Sequence, residues 1–107
     1  MIFIKVRYKL KEGKREELLK FVHENVKKSR QESGNLFYEH FASIEDPNEM
    51  FVLEMWEAVE NVDNHINEPH YIDFAEKRYP ILEWYESQTY EISHLVRERS
   101  GAPRFDT

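Results

Sequence analysis

Two kinds of hydrophobic periodicity follow one another along this chain, and their order constrains the fold more than any other feature. Residues 2–8 alternate apolar and polar side chains, which predicts a β-strand. The period then changes, and from Lys14 onward apolar residues recur at helical spacing, namely Leu18, Phe21, Val22 and Val26. Gly34 suits a left-handed position just past that helix. The chain is therefore expected to begin with a strand and a helix.

The middle of the chain predicts a hairpin followed by two helical segments. Residues 36–42 and 50–57 are rich in aromatic and branched side chains, and the turn-forming cluster 45–49 separates them. Residues 58–66 then show a weak helical pattern. Pro69 interrupts it and is suited to the first position of a further helix.

A fourth strand is predicted at residues 89–96, after Pro80 ends the last helix. The order strand, helix, strand, strand, helix, strand is the split βαβ arrangement. We therefore expect a ferredoxin-like α+β fold, with one antiparallel sheet and the helices on one face. Residues 1–97 form the predicted domain, and the polar residues 98–107 form a predicted C-terminal tail.

The second face of this predicted sheet is also apolar. The second and third predicted strands carry hydrophobic side chains at both odd and even positions, and therefore on both faces. The odd-numbered set comprises Phe37, Phe41, Phe51, Leu53 and Met55. A sheet with one solvated face alternates more cleanly than this. Because an uncovered apolar face of this size marks an interaction surface, we expect a homodimer in which a second copy covers it.

Composition narrows the function. The 107 residues carry a net charge of −6, which argues against nucleic-acid binding. The absence of cysteine excludes disulfides, thiolate metal sites and a cysteine nucleophile. The start of the chain does not resemble a signal peptide, and no apolar run approaches the length of a membrane span. We therefore expect a cytoplasmic protein that binds neither membranes nor nucleic acid.

Several short motifs, taken in order, resemble the antibiotic biosynthesis monooxygenase family. They are Gly34-Asn35-Leu36-Phe37-Tyr38-Glu39, Asp46-Pro47, Trp56-Glu57, His65 and Glu68-Pro69-His70-Tyr71. The resemblance covers roughly residues 2–96 and is strongest to the small quinol-monooxygenase-like members. It implies a dimeric α+β barrel.

The resemblance also bears on cofactors. Quinol- and anthrone-oxidising members of the family use O₂ without metal or flavin, whereas another branch degrades haem. Arg7 and Ala75 occupy about the positions where the haem branch has its Asn and His, and only Trp56 matches that branch. Val52 stands where the anthrone branch has an Asn. The resemblance therefore implies a cofactor-independent monooxygenase acting on a small quinol-like aromatic, with no haem, flavin or tightly bound metal.

Two residues are the predicted catalytic pair. His65 is the candidate base, because a neutral histidine can take a phenolic proton near pH 7. Trp56 ends the third strand and is the candidate wall on which a flat substrate stacks. The structural alternatives are a histidine that caps a helix end and a tryptophan that only fills the core.

The predicted substrate-binding residues surround this pair in the sequence: Tyr38, Glu54, His70, Tyr71 and Phe74. We place the site within each subunit, between the sheet and the second helical region. A carboxylate among aromatics, as at Glu54, is a candidate for a raised pKa or else an ordinary surface charge. His65 and His70 are separated by five positions across Pro69 and need not share a face, so no metal site is predicted.

Two other functions remain open at this level. An isomerase or degrading enzyme for a small phosphorylated signal would need basic groups in the cavity, for which Lys5, Arg7 and Arg78 are the candidates. A non-catalytic ligand-binding dimer would have an aromatic cavity without an aligned histidine.

Overall fold

The computed structural model describes residues 1–101 and confirms the predicted order of elements. The strands and helices are β1 (Ile2–Leu10), α1 (Arg15–Leu19), α2 (Val22–Ser29), β2 (Asn35–Ala42), β3 (Glu49–Trp56), α3 (Val59–Ile66), α4 (Pro69–Arg78) and β4 (Leu82–Glu91), with a 3₁₀ turn over Tyr79–Ile81. Residues 92–101 contain no helix or strand, and the last six residues of the predicted tail lie outside the described part.

The four strands form one antiparallel sheet in the order β2-β3-β1-β4. Val6 of β1 pairs with Val52 of β3 on one side and with Ser87 of β4 on the other. Strands β1 and β3 are therefore central, and β2 and β4 are the two edges, so the hairpin of β2 and β3 joins the rest of the sheet through β3. This is the ferredoxin-like α+β fold that the sequence predicts.

The helices pack on one face of the sheet and bury every second residue of the central strands. Buried and partly exposed positions alternate without interruption along β1 and β3. The core on the helix side contains Ile2, Ile4, Val6, Tyr8, Leu10, Leu18, Val22, Tyr38, Met50, Val52, Trp56, Phe74 and Ile81. Period-two patterning thus decided which face of each strand meets the helices.

The first predicted helix is divided in two. Phe21 leaves the helical conformation, with φ −132°, and its ring packs on Phe74 at 5.8 Å between centroids. Gly34 does have the predicted left-handed conformation, with φ +81°. It lies just before β2, however, and not immediately after α2, because the chain makes a further turn between the two elements.

The fourth strand begins and ends earlier than predicted. It covers Leu82–Glu91 instead of 89–96, and nine of its ten residues pair with residues of β1. It lies at the edge of the sheet, where most of its side chains are exposed and its sequence shows little alternation. Hydrogen bonding to β1 defines this strand, which explains why hydrophobic pattern placed it incorrectly.

The other face of the sheet is apolar and uncovered within one chain. Phe37 and Phe41 are exposed there beside the partly exposed Phe51, Leu53 and Met55. This confirms the predicted apolar second face, while the dimer that would cover it stays a prediction. No helix in residues 1–101 is long and apolar enough to cross a membrane.

Candidate active site

Polar and aromatic side chains converge between the helices and the sheet, at the end where β3 leads into α3. Strand β3 supplies Glu54 and Trp56, which share one face because they are two positions apart. Helix α3 supplies His65, and the first turn of α4, begun by Pro69, supplies His70 and Tyr71. A short chain segment therefore returns to the strand end that it left.

His65 is the centre of this cluster. It is 2% exposed, and its ring lies 4.9 Å from Trp56, 4.8 Å from Tyr71 and 5.4 Å from Tyr38, measured between centroids. Burial lowers the pKa of His65 to about 4, against a smaller opposing effect of the Glu68 charge. The imidazole is therefore neutral near pH 7 and is surrounded on three sides by aromatic rings.

A carboxylate holds this imidazole in one orientation. Glu32, in the turn after α2, lies 2.6 Å from Nδ1 of His65, which donates to it. A neutral ring that donates from Nδ1 has a lone pair on Nε2. That Nε2 atom is buried and has no hydrogen-bond partner among the described residues. The pair thus has the form of a general base oriented by a carboxylate.

Glu54 lies beside His65 and Glu32. It is buried, and one side chain donates a hydrogen bond to it. The indole Nε1 of Trp56 donates to it at 3.0 Å. Burial raises the pKa of Glu54 to about 7, and the charge of Glu32 contributes in the same direction, while the Trp56 hydrogen bond and Arg78 oppose it. Such a carboxyl can hold or release a proton near neutral pH.

Arg78 introduces a positive charge at the far side of the cluster. It is 7% exposed, and its guanidinium lies over the rings of Tyr8, Phe74 and Tyr85 at 4.7, 4.9 and 5.2 Å. Its Nε has no partner among the described residues. A buried cation with an unused donor is suited to stabilising an anion that forms nearby.

A hydrogen-bonded chain supports the site from behind. Asn25 of α2 donates from Nδ2 to the Tyr38 hydroxyl at 2.9 Å, and its Oδ1 accepts from Nδ1 of His70 at 2.9 Å. The Ser29 hydroxyl also donates to that oxygen. The polar groups of α2 thereby tie β2 to α4.

The predicted site residues all lie on the helix side of the sheet, but they do not all meet. Tyr38, Glu54, Trp56, His65 and Tyr71 form one cluster. His70 instead directs its nitrogens to Asn25 and Glu32, and Phe74 lies further along α4 beside Phe21, His40 and Arg78.

Glu32 and Asn25 were not identified from the sequence, and Arg78 was considered only as a candidate cation for a phosphorylated signal. Glu32 lies in a turn whose residues show no periodicity. Asn25 and Ser29 had a visible signal, since both are polar residues on the apolar stripe of α2, and both are buried.

Comparison with known proteins places this chain in a family. The sequence model described as antibiotic biosynthesis monooxygenase matches residues 1–77. The chain belongs to that family. No curated protein matches it.

Solved structures agree at the level of the fold. An antibiotic biosynthesis monooxygenase has a TM-score of 0.82 and 20% identity, over 88% of this chain and 100% of that one. A conserved protein from Methanosarcina mazei has a TM-score of 0.81 and 20% identity, over 86% and 92%. A Bacteroides thetaiotaomicron protein described as a possible oxidoreductase has a TM-score of 0.78 and 21% identity, over 85% and 96%.

Proposed function

We propose that this member of the antibiotic biosynthesis monooxygenase family is a cofactor-independent monooxygenase that oxidises a small quinol-like aromatic with O₂. One observation carries the proposal: Glu32 holds the neutral ring of His65, and the unpartnered Nε2 is enclosed among aromatic side chains. A base in an aromatic setting is what proton removal from a flat phenolic substrate requires.

The chemistry begins with proton transfer from a quinol hydroxyl to His65 Nε2. Glu32 then stabilises the imidazolium that forms, as the acidic member of a hydrolase triad does. The electron-rich quinolate passes an electron to O₂, and recombination forms a C–O bond at a ring carbon. Loss of water leaves a hydroxyquinone, so one oxygen atom stays on the product and the other leaves as water. The substrate itself supplies the electrons.

The other side chains have supporting parts in this proposal. The ring of Trp56 forms the wall on which the substrate stacks, and Tyr38 and Tyr71 form its remaining sides. Arg78 stabilises the anion, since its charge is buried and therefore weakly screened. Glu54, with its pKa near 7, passes a proton to the oxygen atom that leaves as water.

We propose that substrate approaches this site from the β4 side. By register, Ser87 and Thr89 share the helix-covered face with Val6 and Ile4, yet both are exposed. The helices therefore leave this part of the sheet open next to Tyr85 and Arg78. We infer that a small aromatic enters on this side, where it meets Tyr85 and Arg78 first.

The two alternative functions have less support. Lys5 and Arg7 lie on the opposite face of the sheet, and Arg7 is paired with Glu49 at 2.6 Å. Only Arg78 among the three candidate cations lies on the helix side, which is little charge for a phosphorylated signal. A purely ligand-binding dimer gives no reason for the carboxylate behind His65.

Oxygen uptake by metal-free protein with a panel of quinols tests the proposal. His65→Gln should slow turnover by about 10²-fold or more, the usual contribution of a general base. Trp56→Phe should raise KM more than it lowers kcat, because stacking acts largely in the ground state. His23→Gln, an exposed histidine on α2, is the matched control and should keep full activity. Full activity in His65→Gln would refute the mechanism. If no quinol in the panel supports oxygen uptake, the substrate class is refuted.

A further inference from the structure

A second histidine reaches the carboxylate that holds His65. Nε2 of His70 lies 3.0 Å from Oε2 of Glu32, and Nδ1 of His65 lies 2.6 Å from the same oxygen. The three potential ligand atoms all lie within 4.8 Å of one another. The helices α3 and α4 each supply one imidazole and the turn after α2 supplies the carboxylate, so three separate segments meet at one point. The spacing of five across Pro69 thus brings the two histidines together after all.

The orientation of His70 leaves a lone pair facing this carboxylate. Asn25 donates from Nδ2 to Tyr38, so its Oδ1 is the atom that faces His70 and accepts from Nδ1. In the neutral ring, Nε2 is then an acceptor, 3.0 Å from another acceptor on Glu32. Two acceptors at that distance repel unless a positive charge lies between them.

His70 Nε2 is a buried atom without a hydrogen-bonded partner among residues 1–101. The His70 side chain is 7% exposed, and its contact with Glu32 lacks hydrogen-bond geometry. Asn25 acts on it as outer-shell partners act on metal-bound histidines, since a hydrogen bond to one ring nitrogen fixes the tautomer and directs the other toward the ion. A proton on Nε2 satisfies this contact poorly, because the N–H bond would not point at the Glu32 oxygen. A metal ion placed beside the line that joins the two atoms can bind both of them.

A solvent-filled groove reaches the carboxylate of this cluster. A cavity of about 420 Å³ is lined by Glu32, Ser33, Asn64, Asn67, Glu68 and Pro69. It is large enough for the water that completes a four-coordinate ion. The charge of Glu68 raises the pKa of Glu32, after the larger effect of burial, and so adds negative potential at the same place.

We propose that Oε2 of Glu32, Nδ1 of His65 and Nε2 of His70 bind one divalent first-row transition-metal ion per chain, with water from the groove as a further ligand. Two imidazoles and a carboxylate form a common set for zinc. Metal–ligand bonds of about 2.0–2.1 Å in a tetrahedral site place ligand atoms about 3.3 Å apart. The observed 2.6 and 3.0 Å therefore need to widen by about 0.7 and about 0.3 Å to reach that tetrahedral spacing.

This site and the proposed oxidation, which needs no metal, use His65 in different states, because an ion on Nδ1 leaves the ring proton on Nε2, where the proposed base needs a lone pair. Zinc binding is therefore measured without substrate, on tag-free full-length protein stripped of metal with a chelator. Isothermal titration with Zn²⁺ should give one ion per chain. His70→Gln should weaken binding about 100-fold or more, because loss of even an outer-shell partner costs about 10- to 100-fold. His23→Gln should bind as the wild type does.

Imidazole ¹⁵N NMR of the wild-type protein tests the same assignment without any variant, so a folding defect in His70→Gln cannot obscure it. One equivalent of Zn²⁺ should shift Nδ1 of His65 and Nε2 of His70 and leave the resonances of His23, His40 and His94 in place. Shifts confined to exposed histidines would overturn the proposal. So would the absence of stoichiometric binding, or equal affinities in folded His70→Gln and wild-type protein.

Discussion

At the scale of single residues, the most informative group is a carboxyl placed where a carboxylate is costly. Glu54 is 7% exposed between Val52 and Trp56, and its one strong donor is the Trp56 indole. Burial raises the pKa of Glu54 from 4.5 to about 7. The folded protein therefore keeps a proton that the unfolded chain has already lost, across the whole interval between those values.

The sign of the resulting pH dependence follows directly. The contribution of Glu54 to stability is fully present below pH 4.5 and is lost as the pH rises through about 7. Relative to Glu54→Gln, the wild-type free energy of unfolding should fall by about 2–3 kcal/mol between pH 5 and pH 8. Denaturant titrations of both proteins at one protein concentration measure this difference. Other titrating groups, including His65, cancel in it. A difference that is constant with pH would mean that Glu54 ionises normally.

At the scale of elements, the turn between α2 and β2 positions the acidic member of the site. It carries Glu32 and then Gly34, whose carbonyl accepts from the backbone nitrogen of Glu57 at 2.9 Å. Asn61 of α3 fastens the turn from the other side, since its Nδ2 donates to the carbonyl of Ser33 and its Oδ1 accepts from the backbone of Ala58. The start of α3 and the carboxylate turn are thus one unit.

Gly34 is required in this turn for two separate reasons. Its φ is +81°, and a Cβ there would collide with the side-chain amide of Asn61. Gly13 has a similar φ of +75° but open space around it, so Gly13→Ala measures the backbone cost alone, about 1–2 kcal/mol. Gly34→Ala should cost about 1–3 kcal/mol more, the usual penalty of overpacking. Chemical denaturation measures both. Equal losses of unfolding free energy in the two variants would show that the Asn61 side chain moves aside at no measurable cost.

At the scale of the whole molecule, the sheet has one face covered by helices and one apolar face that a single chain does not cover. The central residues of that open face are Phe51, Leu53 and Met55 on β3, flanked by Phe37 and Phe41 on β2. Family membership and this surface together support the predicted homodimer, formed by sheet-to-sheet packing. The prediction rests on the apolar side chains that these strands carry on both faces.

Light scattering at micromolar concentration should therefore find a dimer. Leu53→Asp places an unpaired carboxylate in each half of a two-fold interface, and the dissociation constant should rise by about 100-fold or more because each buried charge costs about 2 kcal/mol or more. The matched control is Ile66→Asp, since Ile66 is 49% exposed on α3, away from the open face. A wild-type monomer at this concentration would contradict the prediction, as would an unchanged dimer in Leu53→Asp.

Local pattern was sufficient to predict the order of elements and the face of each central strand. The alternation in residues 2–8 and 50–57 is a property of the chain itself, because successive side chains of a strand point to opposite sides. It placed Trp56 and Glu54 on one face and led from Trp56 into the segment that carries His65. These two residues do meet, with ring centroids 4.9 Å apart.

Contacts between distant segments were decided by the tertiary structure. Glu32 precedes His65 by 33 positions in a turn without periodicity, so no local signal joins the two. The convergence of His65 and His70 depends on the angle between two helices, which spacing across Pro69 does not specify. The limits of β4 were likewise decided by hydrogen bonding to β1, since an exposed edge strand has little hydrophobic alternation. Periodicity reports which face of an element is buried, and only packing determines which groups from different elements lie within bonding distance.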